Sequence, residues 1–302
     1  MPRTAVLFAG QGSLDPANAR SLYEASASVR ARVDETLSAL ELTVERALSP
    51  DGRALRDTRV LQPVLVALQL GVLDELDRAG LTYSHAAGHS VGELSAWAAA
   101  GVFSASSVAG LARSRGAAMA ECARRAPGQM VALTRVSESE MLAALTAAER
   151  AGVAVMAVHN ARDEWVLAGD RAAMRAAMRA PGAVMLDVSG AWHSPLMEQA
   201  AAVVEQAVAT LDEHSARAVT VVSCVTGAVA DASHARSLVA AGVCGPVRWL
   251  DVLQTLERER VERFVIAGPG RVLRGLLRRE LGAREVALID DGPSLIELTN
   301  TR

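Results

Sequence analysis

Lysine is absent from this sequence of 302 residues, so all 31 basic side chains belong to arginine. A single arginine therefore carries little information unless its position is special. Aromatic residues are scarce as well, at 3% of the chain, and the formal net charge is −3. A nucleic-acid surface needs a basic field and aromatic platforms on which bases stack. The composition argues against a nucleic-acid partner and favours small molecules or proteins.

Long uncharged segments are also missing. Hydrophobic residues make up 51% of the chain, yet no segment reaches the roughly 20 uncharged residues that a membrane-spanning helix needs. The first residues, MPRTAVLFAGQGS, lack the long apolar core of a signal peptide. We therefore expect a cytoplasmic protein that does not bind a membrane. The three cysteines, Cys122, Cys224 and Cys244, follow neither a metal-ligand pattern nor a disulfide framework. We expect reduced thiols, no metal site and no bound cofactor.

The segments that are present alternate between strands and helices. The apolar segment AVLFAG predicts a buried strand, the glycines of GQGS end it, and residues 19–40 predict one helix. A second helix is predicted from Gln62 to Arg78, before Gly80. Strands separated by helices of about ten or more residues indicate a parallel sheet covered on both faces. We predict an α/β fold with a hydrolase-like, parallel-sheet large domain.

Residues 127–188 follow a different pattern. Extended and helix-forming segments succeed one another there in the order βαββαβ, which is the ferredoxin-like arrangement, and AVMLDVS is its predicted last strand. Alternation of helices and strands then resumes. We therefore predict a ferredoxin-like small subdomain at 127–188, inserted into a large catalytic domain formed by residues 1–126 and 189–302.

The stretch GHSVG at 88–92 predicts a nucleophile. A serine with glycine two positions away on each side fits a strand-to-helix turn too tight for larger neighbours. The extended LTYSHAA before it and the helix-forming ELSAWAAA after it supply that context. Ser90 is therefore a candidate exposed nucleophile, and a serine in an ordinary glycine-rich loop is the alternative.

A serine hydroxyl needs a base, and histidine has a suitable pKa near neutrality. His89 adjoins Ser90, but an elbow turns that side chain away from the nucleophile. His214 and His234 lie in polar segments that we interpret as helical and solvated. His193 follows the last strand of the predicted insertion, and loops at the carboxyl ends of strands carry catalytic groups in α/β sheets. No HGGG-type oxyanion segment is present, and the GQG at 10–12 offers backbone N–H groups instead.

Several short motifs occur in an order that resembles one known family. They are FAGQGS at 8–13, TRVLQP at 58–63, GHSVGELSA at 88–96, SRGAAM at 114–119, HNARDEWVLAG at 159–169, WHSPLM at 192–197, GPVRW at 245–249 and GPGRVL at 268–273. Together they resemble the malonyl-CoA:acyl-carrier-protein transacylases, including the acyltransferases of polyketide synthases. The similarity spans nearly the entire chain, and its most specific part is the serine elbow with an arginine about 25 residues later.

The resemblance implies a ping-pong acyl transfer. Ser90 would attack the thioester of malonyl-CoA with His193 as general base, and the backbone N–H groups of Gln11 and Val91 would hold the oxyanion. The phosphopantetheine thiol of an acyl carrier protein would then accept the malonyl group. The family orients this histidine through backbone carbonyls, so no third acid is expected. It also implies a monomer.

The resemblance assigns further residues to the substrate. Arg115 would form a two-pronged salt bridge with the malonyl carboxylate. Trp192 would crowd an α-substituent and favour malonyl over methylmalonyl, or else pack in the subdomain hinge. Asn160 and Gln62 match positions that line the cleft, although residues that cap turns have the same polar character. Arg248 stands where the family has glutamine and where polyketide acyltransferases often have arginine, so its role stays open.

Other functions share these residues. An acyl hydrolase that clears stalled chains from carrier proteins would replace the thiol by water, but its monoacyl substrates need no carboxylate clamp. The transferase subunit of a malonate decarboxylase system would use the same residues, and a non-catalytic docking subunit would not need them. The arginine-rich segment RVLRGLLRRELGARE is interpreted as a helix with a salt-bridged face, or as a basic strip for an acidic carrier protein.

Overall fold

The structure, a computed structural model, describes residues 2–214, 217–282 and 284–300. Its strands are β1 (Arg3–Phe8), β2 (His85–Gly88), β3 (Gly128–Thr134), β4 (Ala154–Ala161), β5 (Glu164–Asp170), β6 (Ala183–Met185), β7 (Thr220–Val222), β8 (Val229–Ala230), β9 (Val247–Arg248), β10 (Val261–Ala267) and β11 (Glu285–Ile289). Its α-helices are α1 (Pro16–Ala25), α2 (Ala27–Ala39), α3 (Val44–Ala47), α4 (Thr58–Arg78), α5 (Gly92–Ala99), α6 (Ala105–Arg125), α7 (Glu138–Glu149), α8 (Arg171–Ala177), α9 (Glu198–Ala209), α10 (Ala235–Ala241), α11 (Trp249–Arg258), α12 (Arg271–Leu281) and α13 (Gly292–Asn300). Short 3₁₀ turns lie at Gln11–Ser13, Ala54–Arg56, Pro195–Met197 and Ala232–His234.

The first sheet has the strand order β11-β10-β1-β2-β7-β8. The first five strands of this order run parallel, and β8 is antiparallel to β7 at one edge. Residues 5–8 of the central strand β1 are fully buried, as expected for a parallel sheet covered by helices on both faces. This sheet confirms the predicted α/β class and carries Ser90 at the carboxyl end of β2.

The second sheet has the order β6-β3-β5-β4-β9. Its first four strands are antiparallel neighbours, and with α7 and α8 they form the ferredoxin-like arrangement. The fifth strand, β9, pairs parallel with β4 and comes from residues 247–248, well beyond the predicted insertion. The second sheet therefore continues into the part of the chain that follows position 189, and the division at 127–188 stays a prediction.

Several local predictions were wrong. The single helix predicted at 19–40 is two helices, because Ser26 adopts an extended conformation and its hydroxyl accepts the N–H groups of Ser28 and Val29 as an N-cap. The strand predicted at 183–189 ends at Met185. His214 lies outside any helix. None of the described helices combines the length and apolar composition needed to cross a membrane.

Candidate active site

Ser90 lies on a sharp turn between the end of β2 at Gly88 and the start of α5 at Gly92. Its φ angle is 53°, a left-handed conformation that a non-glycine residue adopts at a cost. The flanking residues must be glycine because a side chain at either position would clash with the backbone. A Cβ at position 88 would lie 2.1 Å from the carbonyl carbon of Gly92, and one at position 92 would lie 2.4 Å from the carbonyl oxygen of Phe8. The sequence thus folds into a nucleophile elbow here.

His193 reaches the nucleophile from the segment that follows the second sheet. Its Nε2 lies 2.7 Å from Ser90 Oγ, and its Nδ1 lies 3.0 Å from the carbonyl oxygen of Gly245. Because a carbonyl only accepts hydrogen bonds, Nδ1 carries the hydrogen and Nε2 is left to accept the serine proton. Burial, together with the nearby Arg115 cation, lowers the pKa of His193 to about 3. The imidazole is therefore a neutral base at physiological pH.

Arg115 lies on α6 directly beside this pair and is 2% exposed. Its Nη1 donates to Gln62 Oε1 at 2.6 Å, and its Nη2 donates to Ser90 Oγ and the Gly242 carbonyl, each at 3.4 Å. Each of these acceptors is neutral. Burial lowers the pKa of Arg115 to about 10, so the guanidinium is still charged at neutral pH. No carboxylate of the described residues forms an ion pair with it, which leaves a buried cation beside Ser90.

Glu93 is a site residue that the sequence analysis missed. It is 4% exposed and accepts hydrogen bonds from Ser223 Oγ at 2.7 Å and from the Cys224 amide at 2.8 Å. Burial raises its pKa. These donors hold the segment after β7 against the first turn of α5. Glu93 lies in the first turn of α5, three residues after Ser90, and no local pattern in the sequence marks its contacts with Ser223 and Cys224.

A cavity of about 260 Å³ opens next to Ser90, between the second sheet and the N-terminal part of α12. It brings together five of the predicted site residues: Gln11, Ser90, Asn160, Trp192 and His193. Much of its wall is apolar, with side chains from the second sheet, from the segment that follows β6 and from α12. Arg115 and Gln62 do not line it; they lie on the buried side of Ser90, where Gln62 also donates to Thr58 Oγ1 at 2.8 Å.

The remaining predicted residues have distinct surroundings. Gln11 begins the 3₁₀ turn after β1, and its side chain donates to Thr58 Oγ1 at 2.9 Å. Val91 follows Ser90 as the N-cap of α5, so its amide lies at the positive end of that helix. Trp192 lines the cavity, and its ring also occupies the space where a Cβ at Gly190 would be, so both interpretations of this residue have a structural basis.

Arg248 also lies outside the cavity. Its side chain is half exposed, its Nε pairs with Asp251 Oδ2 at 2.7 Å, and it does not line the cavity. His89, by contrast, does line the cavity, and its ring points towards Asn160. Among the described residues, no cluster of three or more His, Cys, Asp or Glu side chains has an arrangement that would bind a metal.

An α/β scaffold that presents a serine on such an elbow, beside a histidine held by a backbone carbonyl, is typical of enzymes that form acyl-serine intermediates. Residues 6–266 match the acyl transferase domain family. The chain is 28% identical to the malonyl CoA-acyl carrier protein transacylase of Bacillus subtilis over 99% of this chain and 96% of that protein. It is 35% identical to the protein of the same name in Mycolicibacterium smegmatis, over 81% of this chain and 86% of that protein.

Solved structures of this family have the same fold as this chain. The crystal structure of MCAT from Streptococcus pneumoniae has a TM-score of 0.90 with this chain at 27% sequence identity, and the match covers 99% of this chain and 100% of that one. The chain is therefore an acyltransferase and belongs to the malonyl-CoA:acyl-carrier-protein transacylase family. This confirms the resemblance drawn from the motifs.

Proposed function

We propose that this acyltransferase moves a malonyl group from coenzyme A to the phosphopantetheine thiol of an acyl carrier protein, in fatty acid or polyketide synthesis. The observation that carries the substrate class is Arg115. A buried guanidinium with only neutral acceptors, one of which is the nucleophile itself, is suited to an acyl chain that ends in a carboxylate. Acetyl or fatty acyl chains would leave the charge without a partner.

In the loading step Ser90 Oγ forms a bond to the thioester carbonyl carbon while its proton passes to His193 Nε2. The 2.7 Å contact provides the path for this proton. The carbon–sulfur bond then breaks, and the leaving thiolate of coenzyme A takes the proton from His193. The product is a malonyl ester of Ser90, and His193 is neutral again.

In the transfer step the same residues act in reverse. The carrier thiol gives its proton to His193 Nε2, its sulfur attacks the ester carbonyl, and Ser90 Oγ recovers the proton as it leaves. In both steps the backbone N–H groups of Val91 and Gln11 would hold the oxyanion. Support for Val91 comes from its place at the N-terminus of α5, where backbone N–H groups have no partner within the helix.

The test is incubation with radiolabelled malonyl-CoA, followed by mass spectrometry of the acylated peptide. The wild type should carry a malonyl group on Ser90, and Ser90→Ala should carry none. Ser194→Ala is a matched control, because that buried serine adjoins His193 and its hydroxyl donates to the Ala191 carbonyl instead. Equal labelling of the wild type and Ser90→Ala would refute the proposal.

Addition of a carrier protein distinguishes the rival functions. Transfer of the label to the carrier supports the transferase, whereas release of free malonate faster than transfer would favour the hydrolase. Transfer to the dedicated carrier protein of a malonate decarboxylase alone, with no transfer to a biosynthetic carrier, would assign the protein to that system. Cytoplasmic location and the monomeric state stay predictions.

A further inference from the structure

A chain of hydrogen bonds runs from α12 along the wall of the cavity to the nucleophile elbow. Arg279 Nη2 donates to Glu164 Oε2 at 2.8 Å, and Asn160 Nδ2 donates to Glu164 Oε1 at 2.9 Å. Asn160 Oδ1 then lies 3.0 Å from His89 Nε2. Four side chains from α12, β5, β4 and the elbow are thereby joined in series. The chain ends on the residue next to Ser90.

The direction of each hydrogen bond in this chain follows from the chemistry of its ends. An ionised carboxylate only accepts hydrogen bonds, so Glu164 requires the NH₂ group of the Asn160 amide to face it. The amide oxygen of Asn160 is then turned towards His89. An amide oxygen also only accepts, so Nε2 of His89 must carry a hydrogen. Arg279, which is partly exposed, pairs with the second carboxylate oxygen and balances the charge of Glu164.

His89 transmits this arrangement to the loop after β1. Burial lowers the pKa of His89, so the ring is neutral and Nδ1 carries no hydrogen when Nε2 does. A Cβ at position 10 would lie 3.0 Å from that Nδ1, which means that the ring packs directly against the Gly10 backbone. The next residue is Gln11, whose N–H is the proposed oxyanion donor. The His89 ring also lies beside Trp249, with the ring centroids 5.5 Å apart and the ring planes tilted by 58°.

We propose that Glu164 is a positioning residue that, through Asn160, holds His89 as its Nε2–H tautomer and so fixes the Gly10–Gln11 loop for catalysis. Arg279 is the cation that holds Glu164 in place. The expected effect on the reaction rate rests on the proposed function of Gln11. The expected tautomer of His89 does not depend on that function. Glu164 forms no hydrogen bond or ion pair with Ser90 or His193, so its influence passes through Asn160 and His89.

The test compares Glu164→Gln with Asp163→Asn. Glutamine has both a donor and an acceptor, so it no longer dictates which way the Asn160 amide faces. Asp163 is the neighbouring carboxylate, 3.9 Å from Arg279 and outside the chain, so its substitution removes the same charge without touching Asn160. The tautomer of His89 is read by nitrogen NMR of the labelled imidazoles. His89→Gln identifies its signal.

The expected wild-type signal is the Nε2–H tautomer. Glu164→Gln should populate the Nδ1–H tautomer and lower kcat for malonyl loading about tenfold at an unchanged KM, as is typical when a residue that orients a functional group is lost. Asp163→Asn should keep the wild-type tautomer of His89 and the wild-type kcat. Arg279→Gln, which frees Glu164 to turn to solvent, serves as the second variant and should shift the tautomer in the same direction.

Three outcomes would overturn the inference: an Nδ1–H tautomer in the wild type, a wild-type tautomer in both Glu164→Gln and Arg279→Gln, or a changed tautomer with unchanged kcat. Failure of the wild type to load malonyl would instead refute the proposed function. The NMR signal would still decide the tautomer in that case, so the two failures are distinguishable.

Discussion

Replacement of Arg115 by alanine tests the proposed substrate class directly. In the free protein the guanidinium is already desolvated and makes one short hydrogen bond, to Gln62 at 2.6 Å, and two long ones at 3.4 Å. A malonyl carboxylate would exchange the two long contacts for charge-assisted bonds. Because burial has already removed water from Arg115, little of this gain is offset by further desolvation of the protein.

The magnitude follows from those contacts. A hydrogen bond to a charged group contributes about 1.5–3 kcal/mol, so two of them supply about 3–6 kcal/mol. Loss of the two weak contacts offsets part of this, which leaves about 3–4 kcal/mol. At 1.36 kcal/mol per tenfold change, Arg115→Ala should lower kcat/KM for malonyl loading by about 10²–10³.

The assay measures the rate of acyl-enzyme formation with malonyl-CoA and with acetyl-CoA. Arg115→Ala should lose malonyl loading and keep or increase acetyl loading, because acetyl has no carboxylate to pair. Arg113→Ala is the matched control, since Arg113 lies on the same helix α6 but is exposed to solvent. Equal losses for both substrates would mean that Arg115 supports the fold or the chemistry in general. Unchanged malonyl loading would mean that it is not the clamp.

Three further predictions concern the fold and the site. Gly92→Ala should lower the free energy of unfolding in urea by about 1–3 kcal/mol or more, because the added Cβ would meet the rigid Phe8 carbonyl. Gly12→Ala is the control and should be nearly neutral, because no atom lies within 4 Å of a Cβ at that position. Equal effects of the two substitutions would contradict the packing of the elbow. Trp192→Ala should raise the methylmalonyl-to-malonyl loading ratio at least about tenfold, and an unchanged ratio would leave Trp192 as a packing residue only. Folding lowers the pKa of His193 from 6.5 to about 3. Between pH 6.5 and about pH 3 the imidazole is therefore protonated in the unfolded state and neutral in the folded state. As the pH falls through this range, the free energy of unfolding should decrease by about 1.4 kcal/mol per pH unit more in the wild type than in His193→Asn. Parallel plots of the free energy of unfolding against pH for the two proteins would refute the lowered pKa of His193.

The sequence was most informative where spacing alone dictates geometry. The glycines around Ser90 predicted the elbow because only glycine fits at those two positions, and the βαββαβ order predicted the antiparallel core of the second sheet. Residues that are held only by contacts distant in the sequence could not be predicted from the sequence. Glu93 and Glu164 have no local pattern that marks them, since their partners lie 130 and 115 residues away, at Ser223 and Arg279. The boundary between α1 and α2 was missed because Ser26 acts as a cap inside an otherwise helix-forming segment.

The charge of Arg115 also links substrate identity to the strength of the base. In the free protein this cation, after burial, is the main cause that lowers the pKa of His193. A malonyl carboxylate that pairs with Arg115 would neutralise part of that field, so His193 becomes a stronger base when the correct acyl group is in place. Acetyl would leave the field unchanged. Titration of His193 by NMR in Ser90→Ala should therefore give a higher pKa with malonyl-CoA than with acetyl-CoA. Identical values would mean that Arg115 selects the substrate without acting on the base.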